Sequence, residues 1–272
     1  MLELKTIEID NIKDFELAHI FECGQCFRWE RLGESYVGVV GEYVAKVSFD
    51  AEKLTIETSG GDETFWQNYF DLNTDYAEIK RSISRMDSRI DRAIEYGSGI
   101  RILNQDLFET TISFIISQNN NIPRIKKCIE SLCKEYGKYL GTAFGKEWYA
   151  FPDAEALAEA KDCDLDNLKL GYRCEYIKSS AKKYMENGEP RTYKEVLAYH
   201  GIGPKVANCI MLFGLHDTSS FPVDTWVKHI MNDMYSFDEN DVQGMMDFAT
   251  THFGKYAGYA QQYLFYYYRS KT

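Results

Sequence analysis

One stretch constrains this chain more than any other: YHGIGPKVANCIMLFGLHDTSSFPVDTWVKH, from Tyr199 to His229. It reads as helix, tight hairpin, helix, loop, helix. Gly201-Ile202-Gly203 is a turn that calls on glycine's freedom at positive φ, and Pro204 suits a first helical position, where its missing N–H costs nothing. Lys205 therefore falls in the first turn of a helix. Free backbone N–H groups there, at the positive end of the helix dipole, suit a phosphate oxygen and make a neighbouring ammonium uncomfortable. Beyond that helix, Phe221-Pro222-Val223-Asp224-Thr225 brings a carboxylate to the start of another. An amine and a carboxylate, each at a helix N-terminus, are the chemistry this stretch offers.

A chain of 272 residues can form one large domain or two smaller ones. No run of about 18 apolar residues occurs, and the start MLELKTIEIDN reads as neither signal peptide nor anchor. The expectation is an intracellular protein, cytoplasmic and nucleoid-associated if the host is a bacterium or an archaeon, with no membrane partner. The seven cysteines (23, 26, 128, 133, 163, 174 and 209) are an odd count and are expected as reduced, buried thiols. Cys23-Gly24-Gln25-Cys26 has redox or half-zinc spacing, but no second Cys/His pair completes a four-ligand site. A net charge of −11 argues against nucleic-acid binding over the whole surface. Two basic segments nevertheless stand out. Residues 119–138 carry Arg124, Lys126, Lys127, Lys134 and Lys138, and residues 169–183 carry Lys169, Arg173, Lys178, Lys182 and Lys183. Taken alone, such segments are most often solvated helix faces.

The fold class expected is α+β. From Leu2 to about Ile56 the pattern is that of an antiparallel sheet: FRWER, SYVGVVG, EYVAKVSFD and KLTIET alternate, with turns at Gly33-Glu34, Gly41-Glu42 and Asp50-Ala51-Glu52. From Asp62 to Tyr96 the period becomes helical, and from there to the end almost only helices are expected. Asp106 to Gln118 reads as a central buried helix ended by Asn119-Asn120-Asn121. Pro123 opens an amphipathic helix, another runs to Asn187, and Thr192 to Glu195 is a capping box. A last helix, Tyr256 to Arg269, carries Gln261, Phe265 and Tyr268 on one face. The division expected is residues 1–100, a sheet with flanking helices, and 101–272, a helical catalytic region whose final helix returns to the site.

With the lysine placed directly after the hairpin and the PVD following it, the sequence resembles the helix-hairpin-helix DNA glycosylases, most closely the 8-oxoguanine DNA glycosylase/AP lyases. Four further blocks carry the resemblance in family order: Cys23-Gly24-Gln25-Cys26-Phe27-Arg28-Trp29, Gln118 through Arg124, Leu170-Gly171-Tyr172-Arg173, and Tyr256-Ala257-Gly258 through Gln261 to Phe265. Together they span nearly the whole chain.

The resemblance implies a bifunctional repair enzyme acting on duplex DNA with 8-oxoguanine opposite cytosine. Lys205 matches the nucleophilic lysine and Asp224 the essential aspartate. The carbonyl of Gly24 would accept the N7–H that 8-oxoguanine has and guanine lacks, Phe265 and Cys209 would sandwich the base, and Gln261 would address its Watson–Crick edge. Asn119 and Tyr172 would fill the gap left by flipping, and Arg124 and Arg173 would hydrogen-bond the orphaned cytosine. Gly201, Ile202 and Gly203 would hold phosphate. A free lysine, with a pKa of about 10.4, is almost wholly protonated at neutral pH, so burial and the helix N-terminus are expected to lower it in a Schiff-base role.

No cofactor is required on this reading. A cation held by backbone carbonyls of Leu197, Tyr199 and Ile202 is implied. The iron–sulfur cluster of the endonuclease III branch is not, since no cysteine follows Cys209. The chain departs from relatives at Trp226, where a phosphate-contacting histidine often stands, and at Tyr268, near the base pocket. A monomer is expected. The competing readings are a broader or alkyl-base monofunctional glycosylase, against which Lys205 speaks, and a non-catalytic helix-hairpin-helix module, which would need neither Asp224 nor the Gln261/Phe265 face.

Overall fold

The computed structural model describes residues 1–161 and 168–271. The N-terminal part is a five-stranded antiparallel sheet of β1 (Lys5–Ile9), β2 (Trp29–Leu32), β3 (Ser35–Val40), β4 (Tyr43–Asp50) and β5 (Lys53–Thr58), in the order β1-β5-β4-β3-β2. Three of the expected turns close its hairpins. Two use Gly33 and Gly41 at positive φ. The third, closing the Asp50↔Lys53 pair, is Ala51-Glu52, both at positive φ (49° and 63°), a conformation usually left to Gly or Asn. Helix α1 (Leu17–Phe21) interrupts the strands and, with α2 (Glu63–Tyr69), covers one face of the sheet. The core between them is aromatic: Trp29 stacks on Phe21 at 4.4 Å between ring centroids and gives its indole N–H to Tyr69, while Phe70 packs against both.

The expectation of almost only helices beyond Tyr96 needs one correction. Tyr139–Ala143 (β6) and Lys146–Tyr149 (β7) form a second antiparallel hairpin, turned at Phe144-Gly145 with φ of 51° and 82°. The physical reason lies in the first sheet. Strand β3 is buried on both faces, and Val37, Val39 and Val44 need a cover, which Ala143 and Trp148 supply.

The helices α3 (Tyr76–Met86), α4 (Asp91–Tyr96), α5 (Leu107–Ser117), α6 (Ile122–Tyr136), α7 (Ala154–Glu159), α8 (Arg173–Asn187), α9 (Tyr193–Leu197), α10 (Pro204–Phe213), α11 (Thr225–Tyr235), α12 (Val242–Phe253) and α13 (Ala257–Arg269) share a second, larger core. Helix α5 is buried at nine positions of eleven, as its apolar girth predicts. Of the stripe expected on its neighbour α6, Ile125, Cys128, Ile129, Leu132 and Cys133 are buried and Tyr136 is half-buried against the same core. Thr192 and Glu195 form the capping box of α9.

Gln25 and Arg101 lock the sheet part to the helices. The buried Gln25 amide donates to the carbonyls of Ile20 and Arg101 and accepts the N–H of Leu103. Arg101 answers with bonds to the carbonyls of Lys13, Asp14 and Asp71. Among the described residues no helix is long and apolar enough to cross a membrane.

Candidate active site

The hairpin between α9 and α10 contains only one glycine that needs its freedom. Gly201 has φ +78°, and a Cβ there would stand 2.5 Å from Tyr176 Cε2, so the turn lies flat on the Tyr176 ring of α8. Gly203 is extended (φ −96°) and faces open space. The freedom at positive φ expected of the turn is thus used at Gly201, and its second glycine leaves room rather than bending the chain. Gly203 also caps α10 without a side-chain hydrogen bond, and Pro204 occupies the first turn. The first N–H groups of α10 therefore lack the usual side-chain acceptor.

Lys205 is half-buried one residue on, its Nζ 5.5 Å above the centre of the Phe114 ring from α5. One turn further along α10 is Cys209, whose thiol is pushed up in pKa by burial, with the Lys205 ammonium, within hydrogen-bonding reach, opposing the rise and Asp224 adding to it. Asp224 caps α11, accepting the N–H of Val227 at 2.9 Å. Its carboxyl is raised above the ordinary aspartate range by burial, against the pull of the Val227 N–H and of Lys205. The structure thus brings Lys205, Cys209 and Asp224 into one electrostatic neighbourhood.

A second group joins the two ends of the chain. Gly24 has φ +82°, and a Cβ on it would stand 3.2 Å from Phe265 Cε1. Gln25, which the sequence shows without a stated role, is what pins this strap, and Gln105 adds a bond to its carbonyl at 2.9 Å. Gln261 is buried in α13 and its Oε1 accepts from the adjacent Gln262 at 2.7 Å. Tyr268 lies in the last turn of α13, half-buried, with the Tyr267 ring edge-on at 5.5 Å.

The third group is the loop after α5. Asn119, at φ 46°, donates to the hydroxyl of Tyr172, which is 49% exposed. Arg124 is exposed and reaches the Lys169 carbonyl. Arg173 differs from it: 6% exposed, it spends donors on the carbonyls of Leu170, Gln118 and Asn119 and stacks on Tyr172. Gln118 ties this loop to the hairpin, giving its side-chain amide to the Gly201 carbonyl at 3.1 Å. Neither Gln118 nor Tyr176 was assigned a role from sequence, because each acts through a contact distant along the chain.

Cys23, Cys26, Cys128, Cys133 and Cys209 are buried free thiols, Cys174 is buried, and Cys163 lies outside the described residues. Burial lifts the Cys23 thiol to about 12 and that of Cys26 higher still, which leaves the CxxC pair protonated core residues. Among the described residues no group of three or more His, Cys, Asp or Glu could hold a metal ion. The implied carbonyl site is of another kind. Backbone oxygens are hard donors that suit a weakly held cation. Here the Tyr199 carbonyl already accepts the Ile202 N–H at 3.2 Å, and the Lys183 ammonium bonds the adjacent Ala198 carbonyl while lying 4.7 Å from the Tyr199 ring centre.

Comparison with known proteins gives the family. Residues 7–111 match the family described as 8-oxoguanine DNA glycosylase, N-terminal domain, and residues 112–252 match the HhH-GPD superfamily base excision DNA repair protein. An N-glycosylase/DNA lyase of Saccharomyces cerevisiae is 32% identical over 85% of this chain and 71% of its own. Another from Arabidopsis thaliana is 29% identical over 93% and 77%. A crystal structure of the Clostridium acetobutylicum 8-oxoguanine glycosylase/lyase, in complex with double-stranded DNA containing cytosine opposite 8-oxoguanine, superposes with a TM-score of 0.92 and 40% identity over 100% of this chain and 98% of that one. The chain belongs to the 8-oxoguanine DNA glycosylase family, within the helix-hairpin-helix (HhH-GPD) superfamily of base excision repair proteins.

Proposed function

We propose that this protein excises 8-oxoguanine paired with cytosine from duplex DNA and then nicks the strand by β-elimination. The observation that carries the reading is the coupling of Lys205, at a helix start open to solvent, with Asp224 and Cys209. The backbone N–H groups of Gly201 and Gly203 grip phosphate beside the lesion, while that of Ile202, expected to join them, is engaged by the Tyr199 carbonyl and holds the turn instead. The base leaves the stack at a cost of roughly a few kcal/mol. Asn119 and Tyr172 occupy the gap, and Arg124, exposed and lightly held, meets the O2 and N3 acceptors of the orphaned cytosine. Arg173 holds the carbonyls of the Asn119 loop and offers the cytosine what donor capacity remains.

In the pocket, the Gly24 carbonyl accepts N7–H of 8-oxoguanine, Phe265 and Cys209 flank the ring, and Gln261 addresses its Watson–Crick edge. Guanine presents a lone pair at N7, and a buried carbonyl left without its donor costs about 1–3 kcal/mol. The unprotonated Lys205 amine attacks C1′ as the C1′–N9 bond breaks, and the Asp224 carboxylate stabilises the positive charge that develops on the sugar. The departing base takes a proton at N9; the aminal that is left then opens, the C1′–O4′ bond breaking as O4′ takes up a proton and the Lys205 nitrogen gives up its own, which forms the imine. Removal of the C2′ proton then expels the 3′ phosphate.

The carbonyls of Leu197, Tyr199 and Ile202 would hold a cation that steadies the hairpin. Residues 1–100 supply the lesion-reading glycine and residues 101–272 the nucleophile, in a monomer that works on chromosomal DNA inside the cell. The test is base release from duplexes with 8-oxoguanine opposite each of the four bases. Release fastest opposite cytosine is expected. Release of alkylated bases but not 8-oxoguanine would overturn the lesion assignment.

A further inference from the structure

The last residue of α13 points back at the strap that carries Gly24. Arg269 donates through Nη2 to the Glu22 carbonyl, two residues before Gly24. Its guanidinium carbon lies 5.3 Å from the centre of the Phe265 ring, one helical turn earlier. Its other terminal nitrogen, Nη1, lies 3.6 Å from where a Gly24 Cβ would stand. That nitrogen is buried and without a hydrogen-bond partner, the only arginine nitrogen so placed among the described residues.

These contacts have a shared consequence. A carbonyl reads a donor only if its peptide plane is held, and the strap from Glu22 to Gly24 lies outside any strand or helix. Gln25 fixes its far end to the Arg101–Leu103 segment. Arg269 fixes its near end to α13, the helix that also carries Phe265 and Gln261. A planar guanidinium suits this work, since one edge can bond a carbonyl while its face lies on an aromatic ring. An arginine present only for the fold would be expected to have both terminal nitrogens satisfied, because a buried donor without a partner is costly. This one keeps a donor open beside the position assigned to the lesion.

We propose that Arg269 is a positioning residue for lesion discrimination: it clamps the Gly24 strap against Phe265, so that the recognition carbonyl is held at the depth where N7–H of 8-oxoguanine meets it. This rests on the function proposed above and deepens it. The residue acts on base recognition and not on the sugar chemistry, so the two steps separate in Arg269 variants.

The test compares wild type, Arg269→Met and Arg269→Lys in single-turnover release of 8-oxoguanine opposite cytosine, and in cleavage of a preformed abasic site opposite cytosine, which needs Lys205 but no base in the pocket. Arg269→Met is expected to slow base release at least tenfold and change abasic-site cleavage less than twofold. Arg269→Lys, which keeps one donor for the Glu22 carbonyl, is expected to recover part of the loss. Base release by Arg269→Met within twofold of wild type would overturn the proposal. So would an equal fall in both reactions, which would make Arg269 a general stability contact. A wild-type protein that cleaves abasic sites but releases no 8-oxoguanine overturns the parent reading, and this one with it.

Discussion

Replacing Gly24 with alanine isolates the recognition step from the rest of the enzyme. At φ +82° an alanine pays the left-handed penalty, about 1–2 kcal/mol, and its methyl stands 3.2 Å from Phe265 Cε1, so the ring must give way by a few tenths of an ångström. For a chain of this size, 1–2 kcal/mol corresponds to a melting temperature lower by about 2–8 °C. The functional cost is separate. If the strap shifts and its carbonyl no longer meets N7–H, about 1–3 kcal/mol of lesion-specific stabilisation is lost, or roughly 5–150-fold in single-turnover release of 8-oxoguanine. Abasic-site cleavage should be unchanged, because Lys205 and Asp224 stand on α10 and at the cap of α11, apart from the strap. Paired measurements of base release, abasic cleavage and thermal melting decide the matter. Full base release by a folded Gly24→Ala variant would refute the reasoning, as would an equal loss of both reactions.

Three further outcomes follow from the geometry. Gly201→Ala should weaken duplex binding in an anisotropy titration and lower the melting temperature, since its Cβ meets the Tyr176 ring, while Gly203→Ala, extended and facing open space, should leave the melt unchanged. Asp224 is shifted upward by burial, so the acid limb of the base-release profile should lie above the ordinary aspartate pKa of about 3.9; Asp224→Asn, which can still cap α11, should melt like wild type yet release no base. Asp87 is pushed up by burial, but hydrogen bonds from Arg89 and Tyr235 outweigh that and hold it at about 2. A carboxyl lowered in the folded state adds stability above its unfolded pKa and loses it as pH falls through the folded one. Allowing for the exposure of Arg89, Asp87→Asn should cost about 2 kcal/mol in urea unfolding at neutral pH, with the difference from wild type shrinking from about pH 4 down to about 2.

What could be read from sequence was what local chemistry dictates. The hairpin, the capping box of α9, the Asn-rich stop after α5 and the stripe of α6 each depend on neighbours within a few residues. Gly33 and Gly41 announced their turns in the same way. Ala51 and Glu52 carried no such signal at the tip, and only the alternation on either side located that hairpin. The β6–β7 hairpin escaped because its strands are short and its reason for existing is the valine face of a sheet about a hundred residues earlier.

The site divided along the same line. Lys205, Asp224 and Gly24 stand in recognisable blocks. Tyr176 under Gly201, Gln118 between the loop and the hairpin, and Arg269 across to Glu22 work through contacts made only when distant segments meet. Arg173 shows the other side of the difficulty: its residue type suits a cytosine contact, but burial has already committed donors to the backbone.

The central claim is that Lys205 is the nucleophile that releases an oxidised guanine. Borohydride trapping on duplexes carrying 8-oxoguanine opposite cytosine tests it most directly, with Lys205→Gln alongside. The account predicts a covalent protein–DNA complex for wild type, absent with undamaged DNA and abolished in Lys205→Gln, which should still bind the duplex. Base release by wild type without any trapped complex, or trapping that survives in Lys205→Gln, would contradict it.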